Sequence, residues 1–98
     1  MKKLFVIVRK EGLTPSQQAV QAGHAVAEYL LHSHLTRWSN QTLIYLGVNS
    51  LFDLEKLKYK FEENDIAYVS FNEPDLNNET TAIATDIQNK FVKRLTLL

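Results

Sequence analysis

The chain has 98 residues and a mass of 11.3 kDa, the size of a single compact domain. Eleven Lys and Arg residues balance eleven Asp and Glu residues, which argues against a protein that coats nucleic acid or a membrane by bulk charge. The lack of cysteine excludes disulfides, thiolate metal sites and a cysteine nucleophile. No segment approaches the roughly 18 apolar residues of a membrane span, and the start of the chain lacks a signal-peptide core. We therefore expect a cytoplasmic protein without membrane contact.

The hydrophobic pattern predicts alternating strands and helices. Short β-branched runs indicate buried strands, and amphipathic runs that follow capping residues indicate helices. The expected elements are a strand over 4–8, a helix over 15–31, a polar connection over 32–41, a strand over 42–48, a helix over 51–64, strands over 66–71 and 81–85, and a final helix over 86–95. This β-α-β-α-β-β-α order predicts one α/β domain over residues 1–98, with parallel pairing and one antiparallel strand.

The most informative predicted loop spans residues 72–80. Glu73 and Asp75 flank Pro74, whose ring fixes its own backbone angle, so the loop is a stiffened acidic corner. Paired carboxylates can act as a general base, orient a water or bind a hard metal. Most acidic loops, however, are solvated surface loops whose side chains make turn hydrogen bonds.

Histidines offer a second set of candidates. His24 lies among small residues in the first predicted helix, where a buried neutral imidazole could be a general base. More often such a residue is part of the core and is satisfied by one hydrogen bond. His32 and His34 do not complete a metal site with it, because both follow the helix on the polar connection. No metal site is predicted.

Basic residues cluster in spite of the neutral net charge. Arg9 and Lys10 follow the first strand, at the sheet edge where ligands of α/β proteins usually bind. Lys90, Lys93 and Arg94 crowd the last predicted helix. Each group is most simply a solvated face, but together they would bind phosphates if they shared a side. A further group on the second helix comprises Lys56, Lys58 and Lys60.

Several features together resemble the type 2 peptidyl-tRNA hydrolases of archaea and eukaryotes. These are the order of elements, the run over 4–9, the closing residues 95–98 and, most specifically, the Gln-x-x-His-Ala piece at residues 21–25. Members of that family cleave the ester that joins a peptide to tRNA, and they need no metal or organic cofactor. The resemblance implies a three-layer α/β/α sandwich around a mixed four-stranded sheet, and a homodimer.

The resemblance also implies a set of site residues. The family's Lys near the start of the first helix falls on Gln17, and its Asp-Ala-Gly-x-Thr stretch is replaced by residues 73–77. Glu73 or Asp75 would orient the attacking water, and Thr80, Thr81 and Gln17 would polarise the carbonyl. The catalytic candidates are therefore Glu73, Asp75, Thr80, Thr81, Gln17 and His24. The candidate contacts to tRNA are Arg9, Lys10, Lys90, Lys93 and Arg94.

Two other functions are open at the sequence level. The chain could be a noncatalytic relative that binds RNA or a nucleotide through the same sheet edge. It could also be a dimeric protein-interaction module with Trp38, Tyr45 or residues 95–98 as apolar anchors.

Overall fold

The central strand of the fold forms from the apolar run after the first lysines, and the rest of the chain assembles around it. A computed structural model describes residues 2–32 and 38–98. The described elements are β1 (Lys3–Arg9), α1 (Pro15–Leu31), β2 (Thr42–Val48), α2 (Leu51–Glu63), β3 (Val69–Glu73), β4 (Glu79–Thr85) and β5 (Thr96–Leu97), with 3-10 turns over Pro74–Leu76 and Val92–Arg94. His34 and most of the connection predicted over 32–41 lie outside the described residues.

The sheet is mixed, with the strand order β3-β4-β1-β2-β5. β1 pairs in parallel with β2 and antiparallel with β4, and β4 also pairs antiparallel with β3. The strands β1, β2 and β3 therefore run in one direction, and their carboxyl ends share one edge of the sheet. β5 adds a short antiparallel pairing to β2, so the sheet has five strands rather than the expected four.

The first helix begins where the capping residues predict. The Thr14 hydroxyl accepts the backbone N–H of Gln17 at 3.2 Å, and the Gln17 side chain accepts the backbone N–H of Thr14 at 2.8 Å. Pro15 occupies the first turn, where its missing N–H costs nothing. These contacts confirm the helix predicted over 15–31.

Alternate residues of β1 enter two separate core clusters. Leu4, Val6 and Val8 pack with residues of α1, whereas Phe5 and Ile7 pack with residues of α2. Because successive side chains of a strand point to opposite faces, the two helices lie on opposite faces of the sheet. The mixed α/β architecture expected from the sequence is confirmed.

The prediction of a final helix over 86–95 is wrong, because this segment does not form an α-helix. The Asn89 side chain accepts the backbone N–H groups of Phe91 and Val92 at 2.9 and 3.1 Å, and the Thr85 hydroxyl accepts that of Ile87 at 3.1 Å. Such local side-chain bonds compete with helical hydrogen bonding. The segment therefore forms one 3-10 turn and then β5.

The third strand is displaced from its predicted range. The backbone N–H of Ile66 donates to the carbonyl of Phe61 at 2.9 Å, which ties this residue to the end of α2. Asp65 has a φ of 55°, so the chain turns sharply after the helix. β3 consequently begins at Val69 and extends to Glu73, and it takes up residues that were expected in a loop.

Among residues 2–32 and 38–98, no helix combines the length and the apolar character that crossing a membrane requires.

Candidate functional site

A β-bulge in β4 determines which threonine faces which helix. Phe71 pairs with Ala82 and Asn72 pairs with Thr80, so Thr81 is the extra residue in β4. The bulge turns Thr81 towards α1, on the same face as Ala82. Without it, strand alternation would place Thr81 on the face of Ile83, which packs with α2.

A buried glutamine on α1 connects the bulge to the acidic corner. The Thr81 hydroxyl donates to Gln21 Oε1 at 2.6 Å, and Gln21 Nε2 donates to Glu73 Oε1 at 2.9 Å. Thr81 is fully buried and Gln21 is 6% exposed. Because both ends of the amide are satisfied, the Gln21 side chain is held in one orientation and aims its N–H at the carboxylate.

Glu73 is a partly exposed carboxylate at the end of β3. Its Oε2 accepts the backbone N–H of Asp75 at 3.4 Å, inside the turn that follows Pro74. The hydrogen bond from Gln21 lowers the pKa of Glu73 below its ordinary value, and the Asp75 N–H and the nearby His24 lower it further against partial desolvation. The group is therefore ionised at neutral pH.

The turn beyond Glu73 uses asparagines to return the chain to β4. Asn77 and Asn78 both adopt positive φ, 55° and 61°, a conformation that asparagine tolerates better than most residues. The backbone N–H of Asn78 donates to the Glu73 carbonyl at 2.9 Å and closes the corner. Both the backbone and the carboxylate of Glu73 are thus fixed.

His24 lies one turn beyond Gln21 and is exposed rather than buried. Its ring stacks on Phe71, with a centroid separation of 4.3 Å and an interplanar angle of 8°. The expectation of a core histidine is wrong, because Phe71 is only partly buried and covers one face of the ring. His24 is close enough to Glu73 for its charge to lower the pKa of that carboxyl.

Thr80 belongs to a separate network on the α2 side. Lys58 Nζ donates to the Thr80 hydroxyl at 3.0 Å, and that hydroxyl donates to Asn72 Oδ1 at 2.9 Å.

Arg9 is 4% exposed and pairs with Glu79 at 2.8 Å. Its Nε is buried without a hydrogen-bond partner among the described residues. Arg9 is therefore a buried structural cation, and its guanidinium is poorly placed to contact a phosphate of a bound RNA.

The predicted catalytic residues thus fall into three environments. Glu73, Thr81 and His24 gather on the α1 side around Gln21, whereas Thr80 faces α2. Gln17 is exposed, and its side chain accepts the backbone N–H of the N-cap residue Thr14. Asp75 is exposed in the turn. Gln21 was not predicted to have a role, although it belongs to the Gln-x-x-His-Ala piece. A polar amide among the small residues of a helix is the signal that could have indicated one.

The predicted RNA-contact residues are also divided. The Lys10 side chain crosses Gly47 so closely that a Cβ on Gly47 would lie 2.7 Å from Lys10 Cε. Lys90 Nζ lies 5.3 Å from the centre of the Phe91 ring, Lys93 is exposed, and Arg94 lines a groove beside α2. The C-terminal cations are therefore exposed, although the helix predicted to carry them does not form.

No protein-family model matches this chain, and no curated protein is significantly similar to it. Within residues 2–32 and 38–98, no group of three or more histidine and carboxylate side chains is arranged to hold a metal ion. Proposals about activity therefore depend on the chemistry of the Gln21–Glu73–Thr81 network and on the family resemblance.

Proposed function

We propose that the protein hydrolyses the ester bond of peptidyl-tRNA or of a related acyl ester. The observation that carries this proposal is the Glu73 carboxylate, which is ionised, partly exposed and anchored from behind by Gln21. An anchored carboxylate open to solvent on one side is suited to orient a water for attack on a carbonyl.

In the proposed reaction Glu73 positions the attacking water. Each carboxylate oxygen already accepts one protein hydrogen bond and keeps a free lone-pair direction for the water. The lowered pKa makes Glu73 a weak base, so its main contribution is to orient the water and to stabilise the positive charge that develops on it. Thr81 is a positioning residue, because it is fully buried and acts through Gln21.

His24 is the proposed proton carrier. When water adds to the acyl carbon, its proton must reach the alkoxide oxygen that leaves with the ribose. An exposed imidazole near Glu73 can accept a proton on one side and release it on the other. The products are a free carboxylic acid and a free hydroxyl, and no other reactant is required.

Fold-level features support the same assignment. Two helices on opposite faces of a mixed sheet fit the three-layer arrangement of the type 2 peptidyl-tRNA hydrolases that the sequence resembles. Glu73 stands in the stretch that replaces the family's acidic motif, and Thr80 and Thr81 precede the apolar part of β4. Gln17 stands at the position of the family's Lys, and its side chain takes part in the capping box of α1. The proposed mechanism therefore uses no positive charge at this position.

The test is release of tRNA from peptidyl-tRNA by the wild type and by two carboxylate variants. Glu73→Gln should lower kcat by about a hundredfold or more, because the amide lacks the negative charge that orients the water and stabilises the charge that develops on it. Asp75→Asn should have a small effect, because it keeps the backbone N–H that Glu73 accepts. No turnover by the wild type above background would contradict the proposal, and a larger loss in Asp75→Asn would move the role to Asp75.

A matched control comes from the exposed Glu63 at the end of α2. Glu63→Gln removes the same charge as Glu73→Gln, but α2 ends at the edge of the sheet from which β3 starts, whereas Glu73 lies at the opposite edge, where β3 ends. This control should keep wild-type turnover. Equal losses in both variants would show that net charge, rather than the anchored carboxylate, controls the rate.

A further inference from the structure

A basic groove lies on the α2 side of the sheet, away from the Gln21–Glu73–Thr81 network. Its volume is about 320 Å³, and it runs between α2, the end of β2 and the C-terminal segment. Its charged lining consists of Lys56, Lys60 and Arg94 against one carboxylate, Asp53. A chain with no net charge therefore concentrates positive charge at one concave place.

The three cations of the groove are available to a ligand. Within the described part of the chain, none of them forms an ion pair. The lysines are also held in place, since Lys56 Nζ lies 5.7 Å from the centre of the Phe52 ring and Lys60 Nζ lies 5.7 Å from that of Phe91. Cation–π contacts of this kind reduce the freedom that each side chain loses on binding an anion.

The groove also lies where α/β proteins commonly bind ligands. Residues 47–49 at the carboxyl end of β2 line it. The start of α2 is already occupied, because the backbone N–H of Leu51 donates to Glu11 at 3.2 Å and that of Asp53 donates to Ser50 at 3.1 Å. An anion in the groove would therefore be bound by Lys and Arg side chains rather than by the helix terminus.

We propose that this groove binds backbone phosphates of the RNA that carries the ester. The identification of the ligand as RNA rests on the proposed hydrolase function, whereas the preference for phosphate rests on the unpaired cations. The groove lies on the α2 face of the sheet and Glu73 on the α1 face, but both lie at the edge where β2 and β3 end. Adjacent strands lie about 4.8 Å apart, so β2 and β3 are separated by roughly 14 Å along that edge. A tRNA molecule that passes around this edge would contact the groove and present its ester at Glu73.

The test separates binding from chemistry by using tRNA without an acyl group. A filter-binding titration compares the wild type with the double variant Lys60→Ala/Arg94→Ala. The variant should bind about tenfold more weakly, and the slope of its affinity against salt should fall, since each lost phosphate contact contributes roughly 0.7–0.9 to that slope. The control Lys2→Ala/Lys3→Ala removes the same charge at the start of β1, which lies at the edge of the sheet opposite the groove. This variant should bind like the wild type.

Each result either supports or overturns the groove proposal. Equal weakening in both double variants would show a nonspecific charge effect, and unchanged binding in Lys60→Ala/Arg94→Ala would exclude the groove. If the wild type fails to bind tRNA but binds anionic phospholipid vesicles or an acidic peptide, RNA is excluded as the ligand.

A separate arm keeps failure of the groove distinct from failure of the hydrolase proposal. Glu73→Gln should bind tRNA as tightly as the wild type, because Glu73 is not part of the groove. Tight binding of tRNA through the groove without any ester hydrolysis would support the phosphate site and contradict the hydrolase proposal. The protein would then be a noncatalytic RNA-binding protein. Hydrolysis that is insensitive to Lys60→Ala/Arg94→Ala, in both KM and salt dependence, would contradict the groove alone.

Discussion

The Glu73 carboxylate owes its properties mainly to one buried side chain. Gln21 donates to it at 2.9 Å and is itself held by Thr81. We expect Gln21→Ala to raise the pKa of Glu73 towards the ordinary value for glutamate, because the largest stabilising contact of the charged form is removed. Titration of the Glu73 side-chain carboxyl signal by NMR measures this directly. An unchanged pKa in Gln21→Ala would show that Asp75 or His24 dominates instead.

The same contact gives the stability of the protein a pH dependence with a definite sign. The pKa of Glu73 is lower in the folded chain than in the unfolded chain, so its contribution to stability is present above the unfolded value. That contribution is lost as the pH falls through the folded value. The difference in stability between the wild type and Glu73→Gln should therefore narrow on acidification, as measured by thermal unfolding at a series of pH values. A difference that widens at low pH would contradict this sign.

A second residue-scale network ties α1 to the segments around it. The Tyr29 hydroxyl donates to Asp86 at 2.8 Å and accepts the backbone N–H of Trp38 at 2.9 Å, and Tyr29 is fully buried. Tyr29→Phe should lower the free energy of unfolding by about 1–3 kcal/mol, because buried partners lose their hydrogen bonds. Urea denaturation followed by circular dichroism measures the change. Tyr59→Phe, at a side chain that is 62% exposed, is the control and should change little.

At the scale of elements, the capping box of α1 gives a local prediction. Thr14→Ala removes the hydroxyl that accepts the Gln17 N–H and should cost about 1 kcal/mol of stability. The conservative variant Thr14→Ser keeps the acceptor and should retain most of the stability. Denaturation of both variants tests the cap, and equal losses would show that the methyl group rather than the hydroxyl matters.

The elements that local chemistry specifies were predictable from the sequence. Thr14, Pro15 and Gln17 define the start of α1 within four residues, and β2 agrees with its predicted range because its apolar run is uninterrupted. The last segment was not predictable from its hydrophobic stripe, since Asn89 bonds to its own neighbouring backbone instead of joining a helix. The Asn89 side chain accepts backbone N–H groups that a helix would need, so the helical spacing of apolar residues did not produce a helix.

The site depends on long-range register and was therefore only partly predictable. Glu73, Thr80 and Thr81 were candidates from the sequence, but the bulge that sends the two hydroxyls to opposite faces depends on pairing with β3. The role of Gln21 likewise appears only when α1 is placed over that bulge. Burial of Arg9 and exposure of His24 are further consequences of packing that spacing alone does not determine.

For the whole molecule, the neutral net charge conceals an uneven distribution. Lys56, Lys60 and Arg94 line the groove beside α2, while the carboxylate of the proposed site lies on β3, at the other side of the strand order. Trp38, considered as an apolar anchor for a partner, is 6% exposed and belongs to the core, whereas Leu97 is 73% exposed.

The homodimer implied by the family resemblance stays a prediction, and sedimentation at micromolar concentration should give twice the mass of the chain. A monomer over that range would contradict it.

The central claim is that an anchored Glu73 carboxylate drives ester hydrolysis, and single-turnover cleavage of peptidyl-tRNA tests it most directly. With protein in excess over substrate, the rate reports the chemical step without product release. We predict that Glu73→Gln slows this step by about a hundredfold or more while tRNA binding is unchanged, because the positioning charge is lost, and that Glu63→Gln cleaves at the wild-type rate. Cleavage by Glu73→Gln at the wild-type rate would contradict the claim.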